Sequence, residues 1–142
     1  MYSKFALRDA GIIAAAVALW FGVADASRGS DLWSDLAGFT AGIGLGAAAY
    51  LIHEWGHFLG GIAVGAHFRA PTSLASASLF TFESSRSTRP QFLVMSIGGF
   101  VATAAVLAAY YLFLPDGLLA TRIARGSVAF GSSKGASSRV AL

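Results

Sequence analysis

Three long apolar runs, closed off by charged residues, divide the chain. The first, AGIIAAAVALWFGVA at residues 10–24, lies between Asp9 and Asp25. It is short for a hydrocarbon core of about 30 Å, which takes about 20 helical residues, and Phe5, Leu7 and Ala26 lengthen it. Lys4 and Arg8 ahead of it resemble the start of a signal peptide, but more membrane sequence follows, so an uncleaved first helix is expected. The second run occupies residues 36–66 and is interrupted only by His53, Glu54 and His57. As one helix it would reach about 46 Å, so it must tilt or protrude. Its glycines are a liability in a soluble helix. In a bilayer, the four-residue spacings Gly56/Gly60 and Gly61/Gly65 let neighbouring helices approach closely. The third run, residues 91–115, carries no charge and is the clearest span.

Between the second and third runs, SLFTFE at 78–83 mixes β-branched and aromatic residues and predicts a short strand, with a turn over 84–88. After Pro115 the pattern changes. Leu118, Leu119 and Ile123 with Arg122 and Arg125 predict an interfacial amphipathic turn or two. Residues 126–138 are rich in Gly and Ser and predict flexibility. The expected fold class is therefore an all-α membrane protein with about three transmembrane helices and a short strand-containing loop between the second and third. Residues 1–115 form the membrane-embedded domain and 116–142 a basic tail.

Composition agrees. Hydrophobic residues make up 56% and charged residues 12%, half the roughly 25% charged content of soluble domains. The composition argues against a soluble globular enzyme and against a disordered chain. The net charge of +3 comes from basic residues scattered singly, which suits loops beside a lipid bilayer and argues against a nucleic-acid partner. The positive-inside rule places the N-terminus and the 67–90 loop on the cytoplasmic side, of the cell membrane if the source is bacterial. The basic tail breaks that rule. With no cysteine, disulfides, thiolate metal sites and a cysteine nucleophile are all excluded.

The chemistry concentrates at His53-Glu54-Trp55-Gly56-His57. On a helix, His53 and His57 lie about 40° apart in azimuth and one turn apart in height. Two imidazole nitrogens so placed can meet one Zn²⁺. Glu54 is too close in sequence for a comfortable third ligand and well placed as a general base. Lone histidines on apolar helices usually serve packing, and a lone intramembrane Glu often pairs with Arg. Yet two of the 3 histidines fall within five residues of one membrane helix, where ionisable side chains are costly.

HEWGHFLGG inside a membrane helix resembles the motif of the site-2 proteases, zinc metalloproteases whose active site lies within the bilayer. A later membrane helix of that family commonly begins Ala-Gly-Pro-x-x-Asn. The corresponding stretch here is Gly98-Gly99-Phe100-Val101-Ala102-Thr103, with Phe100 and Thr103 in place of Pro and Asn. The family's intervening loop contains an edge strand thought to hold substrate extended, a role open to SLFTFE. These matches span roughly residues 36–115. The resemblance implies that His53 and His57 hold Zn²⁺, that Glu54 is the catalytic base, and that the substrates are membrane-spanning proteins whose helices unwind locally. The family's third ligand is an Asp followed by Gly on a further membrane helix. Asp116-Gly117 is the one Asp-Gly pair here, and helix lengths put it at the far end of the third span, about 20 Å too distant. A truncated or altered tail is therefore expected. A non-catalytic relative, which binds zinc or partner helices without cutting, also stays open.

Overall fold

The structure, a computed structural model, describes residues 2–76 and 78–137, with side chains as far as Ala129. Four helices and a small hairpin follow one another: α1 (Tyr2–Val23), a 3-10 turn (Asp25–Arg28), α2 (Leu32–Ala63), β1 (Phe68–Arg69), β2 (Thr81–Phe82), a second 3-10 turn (Ser84–Arg86), α3 (Arg89–Phe113) and α4 (Leu119–Ser137). By length and composition α1, α2 and α3 are each able to cross a membrane. Asp9 lies inside α1 rather than before it, so the first span is 22 residues long and reaches the length that a bilayer requires. Many large apolar side chains on the helices face outward, Phe21, Trp33 and Phe113 among them. Such a surface suits lipid rather than water.

The helix ends are tied by side chains. Asp31 caps α2 by accepting the Ser34 N–H at 2.7 Å, and that bond holds the Asp31 carboxyl below its ordinary pKa. At the other end Gly65 turns with φ +68°, and the Ala66 N–H returns to the Gly61 carbonyl at 2.9 Å. A left-handed residue just past the last turn is where glycine is favoured. Thr88 and Gln91 form a capping box on α3. The Gln91 amide also donates to the Val64 and Gly65 carbonyls, at 2.9 and 3.1 Å. One side chain thus joins the end of α2 to the start of α3.

The predicted strand is present in shortened form as β2. It pairs antiparallel with β1, opposing Phe68 to Phe82 and Arg69 to Thr81. β1 lacks a sequence signal because it contributes only two residues. The hairpin is held down by an aromatic cluster in which Phe58, Phe68 and Phe80 stack mutually at 4.4 to 5.8 Å. Gly61 leaves room for the Phe68 ring, which a Cβ there would strike.

The segment after Pro115 differs from the expected turn and flexible tail. It forms α4 from Leu119 to Ser137, while residues 138–142 lie outside the described residues. Leu119, Ile123 and Ser127 seat against Gly38, Gly42 and Gly46 of α2 in turn, so the two helices run parallel. Ala120, Thr121, Ala124 and Val128 are buried there. Small residues that look flexible in isolation form a helix here because a complementary glycine face receives them. Arg125 satisfies the end of α3 through the carbonyls of Tyr110 and Leu114, each at 3.1 Å.

Candidate metal centre

The site lies where the C-terminal half of α2 meets α3. Glycine permits the approach. A Cβ on Gly56 would come within 2.6 Å of the Gly98 carbonyl oxygen, and one on Gly60 within 2.9 Å of that of Val94. With the backbones this close, side chains of α2 reach carbonyl oxygens of α3 directly. His57 Nδ1 lies 2.9 Å from the Met95 oxygen, and His53 Nδ1 lies 3.0 Å from the Gly99 oxygen. Two imidazoles one turn apart on α2 thus meet two carbonyls one turn apart on the antiparallel α3. Gly99 itself must lack a side chain, because a Cβ there would sit in the His57 ring.

These contacts fix the tautomers. A carbonyl oxygen only accepts, so each Nδ1 must carry the proton and donate it. Thr103 reinforces the choice at His53, since its Oγ1 donates to the Gly99 oxygen at 3.1 Å and accepts from Nδ1 at 2.7 Å. With both rings neutral, Nε2 would be the unprotonated lone-pair donor of each. The two Nε2 atoms face one another at 3.0 Å, with the rings nearly perpendicular at 79°. At this distance the two nitrogens share either a proton, in an N–H···N hydrogen bond, or a metal ion, because two bare lone pairs repel. A divalent ion about 2.0–2.1 Å from each nitrogen fits that spacing. Outer N–H groups anchored on backbone carbonyls are the usual way to orient metal-binding histidines.

Glu54 completes the group. Its carboxylate and the two histidine nitrogens lie within 4.8 Å of one another, a set that could hold a metal ion. Glu54 is only 8% exposed and lines a cavity of about 340 Å³ with Phe80, Thr81, Phe82, Phe92 and Met95. The strand predicted from SLFTFE therefore forms a wall of the space into which the carboxylate opens.

The remaining candidates fall elsewhere. His67 lies beyond the end of α2, where its backbone N–H donates to Ser87. Asp116 sits in the turn after α3, 89% exposed and paired with Arg125 at 2.7 Å. Among the described residues the metal-competent group is His53, Glu54 and His57. Sequence reasoning misses Asp9, which is buried in α1 and accepts the indole N–H of Trp55 at 2.8 Å. Its signal is a carboxylate that the helix includes rather than stops at. Compared with protein-family models, curated proteins and solved structures, the chain matches none.

Proposed function

We propose that this chain is an intramembrane zinc metalloprotease of the site-2 type. The observation that carries the reading is the convergence of the two Nε2 atoms to 3.0 Å, each ring anchored through Nδ1 on a backbone carbonyl, with the Glu54 carboxylate within 4.8 Å. His53 and His57 would hold the ion, and zinc suits two neutral imidazoles better than the oxygen-seeking Mg²⁺ or Ca²⁺. When bound, the ion supplies Lewis acidity toward a peptide carbonyl. The chain's own residues do the rest. Glu54 accepts a proton from water in the cavity and returns it to the departing amine, a role open to a carboxylate with space beside it. Thr103, Gly99 and Met95 keep the imidazoles in register. Phe80, Phe82 and Phe92 line the cavity beside Glu54, with Ser78 and Thr81. β2 is paired on one edge by β1, and an extended segment of an unwound membrane-spanning substrate would lie along its other edge. In this reading the N-terminus and the 67–90 loop face the cytoplasm, and a cysteine at Ser85 is shielded from an impermeant thiol reagent applied to intact cells. Labelling there would reverse the orientation.

A second reading draws on the three-residue group itself. If Glu54 is a ligand, the chain is a zinc-binding membrane protein that does not cut. Glu54→Gln in the purified full chain separates the two readings. The protease reading expects zinc content unchanged and cleavage of a membrane-spanning substrate reduced by about 10²–10⁴-fold, the usual contribution of general acid–base catalysis. Loss of zinc from the same variant would support the non-catalytic reading.

A further inference from the structure

Two adjacent charged residues on the membrane helix α1 are unexplained by the site so far. Asp9 is 2% exposed, and both of its oxygens are used. Oδ1 accepts from Arg8 Nε at 2.7 Å and lies 2.7 Å from Nη2 in an ion pair, and Oδ2 accepts the Trp55 indole N–H at 2.8 Å. The remaining arm of the guanidinium, Nη1, donates to the carbonyls of Leu74 and Ser76 at 2.5 and 2.8 Å. One ion pair therefore joins three parts of the chain: α1, the motif on α2 and the loop before β2. Ionisable residues in a membrane helix are costly and mark function by default. A buried ion pair is also weak evidence for stability alone, since apolar replacements often do as well.

The placement of the contacts shows what the pair governs. Successive helical residues are rotated by about 100°, so Trp55 faces away from His57, and Glu54 lies between them in azimuth. α2 is gripped on the His57 side by the carbonyls of α3 and on the Trp55 side by Asp9. The direction of Glu54 follows from both grips. The loop is held just as specifically. Leu74 is 48% exposed, and beneath it lies a cavity of about 350 Å³ bordered by Arg8, Ile12, Tyr50 and Leu51. Hydrogen bonds to Arg8, rather than filled packing, keep residues 74–76 in place. Two residues after Ser76 the chain reaches Ser78, where the wall of the Glu54 cavity begins.

We propose that Arg8 and Asp9 are positioning residues that form a clamp, Asp9 fixing the rotation of Glu54 through Trp55, and Arg8 fixing the loop that leads into the substrate-facing wall. The catalytic half of this inference rests on the protease reading. Its two arms have different signatures. Trp55→Phe keeps an aromatic ring beside Phe58 and removes the indole N–H with part of the bicycle. Arg8→Lys keeps the charge beside Asp9 and removes the fork to Leu74 and Ser76.

The test uses the full chain in vesicles, with zinc content, kcat and KM on a membrane-spanning substrate, and the labelling rate of a single cysteine placed at the half-buried Ser76. Trp55→Phe should lower kcat by roughly 10-fold or more, since small misplacements of a catalytic group cost up to about 10²-fold. Its KM, labelling rate and zinc content should stay unchanged. Arg8→Lys should raise KM and speed labelling several-fold, again with zinc retained because α3 holds the histidines. Asp9→Asn should show both effects. Parallel loss of zinc, kcat and labelling protection in every variant would reduce the clamp to a folding element and overturn the proposal. Unchanged labelling in Arg8→Lys would overturn its loop arm. A wild-type chain that binds zinc and cuts nothing would overturn the protease reading and the catalytic arm with it, while labelling still decides whether Arg8 holds the loop.

Discussion

The two halves of α2 solve the same packing problem and reach different ends. In the N-terminal half, Gly38, Gly42 and Gly46 receive Leu119, Ile123 and Ser127 of α4. In the C-terminal half, Gly56 and Gly60 receive the backbone of α3 at Gly98 and Val94. Both are stripes of small residues at four-residue spacing, which draw helices together in a bilayer. In the first, the polar bonds close off backbone groups: the Tyr110 hydroxyl donates to the Leu45 carbonyl at 2.7 Å, and Arg125 occupies the end of α3. In the second, imidazoles stand beside the glycines and use the exposed carbonyls as anchors, which leaves their Nε2 atoms directed inward. Close approach alone makes an interface. Close approach with histidines in the register of the facing carbonyls makes a candidate metal centre.

The comparison breaks most visibly at the ligands. His57→Ala should lower zinc affinity by more than about 100-fold, because the loss of an outer-shell partner alone costs 10–100-fold. The check is zinc per chain after dialysis against a weak chelator, with helical content measured alongside. Retained zinc would mean that the histidine pair is packing, no different in kind from the N-terminal half.

A methyl group added to each stripe sharpens the contrast. Gly99→Ala places its Cβ in the His57 ring, so the ring must swing away from Met95, and zinc affinity should fall by about 10–100-fold. Gly42→Ala brings a Cβ to 2.6 Å from Ile123 and 2.8 Å from the Ala120 carbonyl. α4 must then back off, at a cost of about 1–3 kcal/mol for overpacking, with zinc affinity unchanged. Thermal unfolding and zinc titration of both variants should give opposite patterns. Zinc loss from Gly42→Ala would couple the halves and remove the distinction.

These halves were not equally legible in the sequence. H-E-x-x-H announces a candidate metal site through spacing alone, and the small-residue run at Gly98 to Thr103 points to its partner helix. What spacing cannot show is which carbonyls the histidines use, since that depends on the relative height of two helices 40 residues apart in the chain. α4 is hidden from the sequence for a related reason. Ala120, Thr121, Ala124 and Val128 carry little hydrophobic signal themselves, and only the glycine face opposite explains their burial. Asp9 looks like a boundary because a carboxylate usually ends an apolar run. Its partners, Arg8 next to it and Trp55 far along the chain, are what allow the helix to continue through it.

Asp116 tests whether the turn between α3 and α4 belongs to the site. Paired with Arg125 and 89% exposed, it should leave zinc affinity unchanged when replaced by Asn, and stability should shift little because exposed ion pairs contribute about 0–1 kcal/mol. Zinc loss would require an arrangement in which this turn folds back to His53.

The smallest expected effect lies at the other end of the N-terminal half. Asp31 accepts the Ser34 N–H, and this bond, strongest to the ionised carboxylate, lowers the Asp31 pKa from its ordinary 3.8. A group whose folded pKa is depressed adds stability that is fully present above the unfolded value and is lost as pH falls through the folded one. The helix N-terminus adds to the same preference for negative charge. Asn caps helices about as well as Asp but does not titrate. Asp31→Asn should therefore unfold at a slightly lower temperature than wild type at neutral pH, and the gap should close as pH drops below 3.8. Comparing the two chains cancels every other titrating group, the histidines included. A gap that persists or widens at low pH would show that Asp31 acts on α2 by something other than its charge at the cap.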